Sequence, residues 1–224
     1  MFVKQLYMDS CTLFGYKMGC WNSKNEISNE DEASMPLKIS CENNNVSKIL
    51  TQNQQYSWSN RDRTDLSRFV IENVHGSVAL RRQHEICGQG IVIQNCNRAT
   101  LILLDFSATV LIDDCIDCTM FVGPVVGSVA LRNCTNCRIM SASQQFRTRD
   151  CNNLDCFIYC STQPVIESSN GLRFASFSAD FQDLDQLFTL ANLDVFDNKW
   201  HQVYDFCADE QFEKHYTIIN SVCL

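Results

Sequence analysis

The chain has 224 residues, a formal net charge of −8 and a pI near 4.9. That acidity argues against nucleic acid or a broad anionic membrane surface as a partner, and the sequence contains no apolar run of the roughly 18 residues a membrane-spanning helix needs. Fourteen cysteines invite a secreted, disulfide-bonded reading. The N-terminus lacks a signal-peptide pattern, however, and most of the cysteines recur at regular spacing, so free thiols in a reducing cytosol are expected.

Residues 1–17 form an N-terminal extension ahead of Met18-Gly19-Cys20-Trp21-Asn22-Ser23. That stretch fits the pattern for N-myristoylation, with Cys20 beside Gly19 available for palmitoylation. It acts only if Gly19 becomes the N-terminus, through translation from Met18. Two acyl chains anchor a protein stably where one binds marginally. A form starting at Met18 is therefore expected on the cytoplasmic face of a membrane, and one starting only at Met1 in the cytosol. Residues 18–54 are rich in Asn, Ser, Glu and Asp without periodicity and read as a flexible tether. Order is expected from Gln55-Tyr56-Ser57-Trp58, and Phe69-Val70-Ile71-Glu72-Asn73 reads as a first irregular coil. A lid over the open N-terminal end is expected, because an uncovered coil exposes strand edges.

From Gly90 onward the chain repeats itself. Cysteines follow an Asn or Asp at Asn95-Cys96, Asp114-Cys115, Asn133-Cys134 and Asp150-Cys151, and Asn170-Gly171 reads as a last turn that has lost its Cys. Five positions before the Cys stand Ile91, Val110, Val129 and Phe146. Three before stand Ile93, Ile112, Leu131 and Thr148. Three after stand Ala99, Cys118, Cys137 and Leu154, with Phe174 in the last turn. The intervening positions are more polar. Alternation with period two means strands with one face in and one out, and Asn or Asp suits a left-handed corner. A repeat of 17 to 20 residues with these features is a coil of a right-handed parallel β-helix. The fold is thus all-β, with the β-helix over residues 55–206 and a short tail over 207–224. Residues 188–196 and 200–206 are expected to cover its C-terminal end.

Cys115, Cys118, Cys134 and Cys137 have the spacing of a zinc ribbon. Their columns argue otherwise. The same places hold Ala99 one coil earlier and Leu154 one coil later, so these are expected to be packing positions without metal.

The outward column four before the Cys runs Val92, Leu111, Ala130 and then Arg147. Counting 20 residues on places Glu167 next to Arg147. Gln144 and Gln145 occupy the columns of Gly127 and Ser128. The residues alone fit two readings: an ordinary surface ion pair, or a phosphate-facing patch on a stiff sheet.

Gln144-Gln145-Phe146-Arg147-x-Arg149-Asp150-Cys151 and Thr162-Gln163-Pro164-x-Ile166-Glu167-Ser168-Ser169 resemble the β-helix of the tubulin-folding cofactor C family. Gln55-Tyr56-Ser57-Trp58, Ser107-Ala108-Thr109-Val110, Gly123-Pro124-Val125, Gly127-Ser128-Val129, Asp205-Phe206 and the Met18-Gly19-Cys20 start add to the resemblance, which is strongest for the lipid-anchored members of photoreceptor cilia. It implies a GTPase-activating protein for an Arf-like small GTPase, itself a monomer and not a stand-alone enzyme. Arg147 would be an arginine finger acting in trans, with Gln144 and Glu167 assisting it. Gly127, Ser128, Gln144, Gln145 and Phe146 would lie close to the nucleotide. GTP and Mg²⁺ would be bound by the partner, with no cofactor of the chain's own. The setting implied is ciliary and membrane protein trafficking at the plasma membrane. Members of this kind carry a second, nucleoside-diphosphate-kinase-like domain, for which nothing after Phe206 offers a match. A tubulin-folding role would use the same Arg. A non-catalytic scaffold would need no exposed Arg. A carbohydrate-cleaving β-helix would need clustered acids, for which Asp113 and Asp114 are a thin case.

Overall fold

A computed structural model of the chain describes residues 66–208 and 214–219. After a 3-10 turn at Leu66–Phe69 come β1 (Val70–Glu72), β2 (Val78–Arg81), β3 (Ile91–Gln94), β4 (Thr100–Leu103), β5 (Val110–Asp113), β6 (Thr119–Arg132), β7 (Arg138–Arg149), β8 (Asp155–Cys160), β9 (Val165–Glu167) and β10 (Leu172–Ser176). A short helix α1 (Leu184–Leu190) follows, then β11 (Tyr204–Asp205) and β12 (Tyr216–Ile218). All twelve strands join one sheet, and every strand pairing is parallel. A parallel sheet whose neighbours are successive turns of one chain is a β-solenoid, the fold expected from the repeat.

The register follows the sequence columns through the first four Cys-marked coils. Ile91, Val110, Val129 and Phe146 stack in line, as do Ile93, Ile112, Leu131 and Thr148. All of these face the core, and Cys96, Cys115, Cys134 and Cys151 are buried with them. The residue before each of these cysteines has a positive φ, between 49° and 54°. Asn73 takes the same corner in the first coil at φ 57°. Asn and Asp tolerate this left-handed conformation, which is why they hold the column.

Each corner thiol has a further task. Cys96, Cys115, Cys134 and Cys151 donate to the backbone carbonyl two residues back, at Sγ–O distances from 3.2 to 3.4 Å. Cys118 and Cys137 do the same at the next column. The thiols thus pack as small apolar groups and add a second hydrogen bond to corner carbonyls that already accept a backbone amide.

The last Cys-free turn departs from expectation. Arg147, Thr148 and Arg149 pair with Val165, Ile166 and Glu167. The step is therefore two residues shorter than the Asn170 count implies. Ser168 holds the left-handed corner, at φ 46°. Ser169 holds the Cys column: its hydroxyl donates to the Glu167 carbonyl at 2.8 Å and accepts from the Cys151 amide at 3.1 Å. A serine does the work of the thiol, so the turn carries no Cys to mark it. Phe174 accordingly pairs with Cys156, not with Leu154.

β6 and β7 are long because they run round a corner without leaving extended conformation. Gly123 makes the bend in β6 possible, since a Cβ there would lie 2.5 Å from the Asp105 carbonyl oxygen and 3.1 Å from that of Leu103. The first halves of β6 and β7, and all of β8, are buried on both faces. Their outer face is covered by the segment carrying α1: Phe121 meets Phe177 and Phe181, and Tyr159 meets Phe188 edge-on. Residues 188–193 therefore cover a flank of the stack, where an end cap was expected. Trp200, Val203 and Tyr216 do pack against the main core. β11 adds to β9 and β12 to β10, so the solenoid continues into the stretch expected as tail. Its last strand is pinned by His215 Nδ1 against Asp205 Oδ2 at 2.8 Å. The tether, Gly19, Cys20 and the N-terminal lid lie outside the described residues.

Candidate functional site

The outward column that contains Arg147 runs Val92, Leu111, Ala130, Arg147, Val165. The adjacent outward column, two residues on, is charged at every position but Gln94: Glu72, Gln94, Asp113, Arg132, Arg149, Glu167. Most charges there are met locally. Arg132 holds Asp113 through two hydrogen bonds of 2.7 and 2.5 Å, Gln94 donates to Glu72 at 2.7 Å, and Arg149 reaches Asp150 at 3.4 Å. Arg147 differs. It is exposed, its column supplies no acid, and among the described residues it makes no ion pair. Its Nη2 donates to the side-chain oxygen of Gln145 at 3.3 Å. The expected Glu167 neighbour belongs to the column of Arg149, because the coil between them is 18 residues and not 20. Gln145, two positions back on the same strand face, is the residue that holds the guanidinium.

The other expected site residues divide. Ser128 pairs in register with Gln145, and Gly127 precedes it where the chain passes close to the Ala108 carbonyl. Gln144 is exposed, while its carbonyl is fixed by the amide and hydroxyl of Thr162, both at 3.0 Å. Phe146 borders the groove beside Arg147, but alternation turns its ring inward, fully buried and edge-on to Phe174, so the ring anchors the strand that presents Arg147.

Beside Arg147 lies an open groove of about 690 Å³. Gln145, Arg147, Val165, Thr162 and Gln163 line one side, and Lys199, Gln202 and Tyr204 the other. The second wall was not foreseen, because residues 198–206 carry no repeat. Backbone bonds strap that wall to the coils: Lys199 N to Cys160 O, Tyr204 N to Pro164 O and Phe206 N to Ile166 O, at 2.7 to 2.9 Å. The Lys199 ammonium is spent on the Ser161 carbonyl and on Asp197, at 3.0 and 2.9 Å. Arg147 is thus the cation without an anionic partner at this groove.

The zinc-ribbon cysteines give their protons to carbonyls. Cys134 and Cys137 also approach the Ile112 and Cys115 carbonyls of the preceding coil, at 3.7 and 3.4 Å. Hydrogen bonding between the thiols raises Cys115, Cys134 and Cys137 above the ordinary range and lowers Cys118, while burial raises Cys96, Cys156 and Cys160 beside them. Among the described residues no group of three or more His, Cys, Asp or Glu is arranged to hold a metal.

The family model for tubulin binding cofactor C matches residues 88–206, which takes in the coils, the Arg147 column and the second wall of the groove. The chain belongs to the tubulin binding cofactor C family. Its cofactor C region is most of what the structure describes. Protein XRP2 of Danio rerio is 38% identical over 202 residues, covering 84% of this chain and 54% of that protein. Protein XRP2 of Gallus gallus is 42% identical over 152 residues, covering 68% and 43%. The chain spans about half the length of the curated relatives it matches. Tubulin Binding Cofactor C from Leishmania major is a solved structure similar to this chain at 25% identity, covering 51% of it and 80% of that chain, with a TM-score of 0.45.

Proposed function

We propose that this protein is a GTPase-activating protein that supplies Arg147 in trans to an Arf-like small GTPase. The observation that carries the reading is the state of Arg147. It is an exposed guanidinium on a rigid sheet, in an otherwise apolar column, with no carboxylate to neutralise it and a groove beside it. An exposed cation left without an anion is poised for one brought by a partner. The planar fork suits phosphate oxygens, and an arginine finger contributes about 10³ to 10⁵ in rate by stabilising charge on the transferring phosphoryl group. Gln145 would hold the side chain until docking. Gln144, Gly127 and Ser128 would lie against the nucleotide edge, and Glu167, diagonal to Arg147 across one coil, would bias its direction at longer range. The partner would bind GTP and Mg²⁺ and contribute its own catalytic residues.

The experiment is GTP hydrolysis by a panel of Arf-like GTPases, with and without this protein and its Arg147→Ala variant. Stimulation by the parent that falls by about 10³ or more in the variant supports the finger. Stimulation within a few-fold of the parent would show Arg147 to be a surface residue only. The family match favours one second reading, a tubulin-folding role for the same arginine. Adding tubulin in place of the Arf-like GTPases separates the two. A form translated from Met18, acylated on Gly19 and Cys20, would carry out this activity on the cytoplasmic face of the plasma membrane, in the ciliary region. Gly19→Ala should release it to the cytosol, since one acyl chain alone holds marginally.

A further inference from the structure

The loop between α1 and the second wall of the groove presents Phe196 at 94% exposure, with Val195 beside it at 59%. An aromatic ring held almost wholly in water is unusual on a folded surface, and here it is not on a slack loop. The Tyr159 hydroxyl hydrogen bonds to the Asp194 carbonyl and lies 3.2 Å from that of Asp197. The Phe196 amide donates to Asp194 Oδ1 at 3.0 Å. Asn198 Oδ1 accepts from the amides of Cys160 and Trp200, at 3.1 and 3.2 Å. Lys199 ties Asp197 to the Ser161 carbonyl. The ring is therefore presented by a hydrogen-bonded knuckle whose conformation is set in advance. Preorganised aromatic side chains are what protein interfaces use as anchors.

Two features say what covers it. The first is charge. Val195 and Phe196 are flanked directly by exposed Asp194 and Asp197, the second of which Lys199 pairs. An acidic rim repels an anionic bilayer and suits a protein surface with an apolar pocket edged by Lys or Arg. The second is place. Lys199 lines the Arg147 groove, and three residues span at most about 10 Å. A standard interface of about 800 Å² per partner reaches roughly 16 Å from its centre. The knuckle therefore lies within reach of a partner seated on the groove.

We infer that the Val195–Phe196 knuckle is the docking anchor for the protein that Arg147 serves, inserting Phe196 into an apolar, basic-rimmed pocket on that protein. This rests on the reading of Arg147 as a finger in trans, and it divides the labour: Phe196 sets affinity, Arg147 sets rate.

The test uses the full chain and an Arf-like GTPase that it stimulates. Binding is measured with that GTPase loaded with a non-hydrolysable GTP analogue, and stimulated hydrolysis is measured over a range of activator concentrations. Phe196→Ser should weaken binding by about thirtyfold, the loss ordinary for an aromatic hot spot, and raise the half-saturating concentration equally. The maximal stimulated rate should stay at the parent value. Arg147→Ala should do the reverse, with binding kept and rate lost. Tyr159→Phe, which loosens the knuckle without altering Phe196, should weaken binding by a smaller factor. Because Phe196 is in solvent, its replacement should leave the melting temperature unchanged, so lost affinity cannot be assigned to lost fold. Unchanged affinity in Phe196→Ser, with the parent stimulating normally, overturns the anchor and leaves the finger standing. A parent that stimulates no GTPase of the panel overturns both.

Discussion

Replacing Gly123 by alanine would put a Cβ 2.5 Å from the Asp105 carbonyl oxygen and 3.1 Å from that of Leu103. Both obstacles are backbone atoms of the preceding coil, so no side-chain rotation relieves them. Asp105 is itself fixed. Its buried carboxylate accepts from the amides of Ile86, Cys87 and Phe106 at 2.8 to 3.0 Å. The strand must therefore move away from its neighbour, which strains ladder bonds on both sides. Overpacking of this kind costs about 1–3 kcal/mol, and a backbone clash places it at the upper end. For a domain of this size each kcal/mol lowers Tm by about 2–4 °C, so a fall of roughly 4–12 °C is expected. Thermal unfolding followed by circular dichroism reads it directly. A Tm within about 2 °C of the parent would refute the argument that close coil approach selects glycine here.

Asp105→Ala should be among the most damaging single changes, since it leaves buried amides without an acceptor at about 1–3 kcal/mol each; soluble yield and Tm check this. Cys151→Ser should cost less than about 1.5 kcal/mol in a denaturant titration, because Ser169 already fills that column with an equivalent bond to the carbonyl two residues back. Among the described cysteines, a maleimide under native conditions should label exposed Cys207 first and leave Cys96, Cys115, Cys134 and Cys151 largely unmodified; rapid labelling of the four would contradict the buried ladder. Elemental analysis of the full chain should find no stoichiometric zinc, and a tightly held ion would place Cys115, Cys118, Cys134 and Cys137 in a different role.

Much of the fold is legible because a solenoid writes its own alignment. The period sorted core from surface, and the Asn or Asp before each Cys located the corners that the structure puts at positive φ. Legibility failed where the marker changed. Serine replaces cysteine at position 169, so a count anchored on Asn170 ran two residues long and set Glu167 beside Arg147 when it belongs beside Arg149. The same alternation that placed Arg147 outward places Phe146 inward, and a motif read as a block obscured that. Lys199, Gln202, Tyr204 and the flank-covering α1 come from a segment without period. α1 is placed by the apolar outer faces of β6 to β8, and the groove wall by backbone bonds to Cys160, Pro164 and Ile166, both tertiary matters. A second left-handed column, with Asp117, Asn136 and Asn153 continued by Gly171, was present in the sequence and findable by the same reasoning as the first.

In a solenoid each coil touches only its neighbours, so opening can begin at an end and stop part-way. Arg147 sits on an interior coil, but the wall that completes its groove belongs to residues 198–206, which hold on through β11 and a few straps near the terminal coil. Fraying of that end would dissolve the groove and the Phe196 knuckle while the thiol-capped coils before it stay intact. Heating should therefore remove the competence of the site at a lower temperature than it melts the sheet, and hydrogen exchange should find the amides of Lys199, Tyr204 and Phe206 opening well before those of Ile93, Ile112 and Leu131.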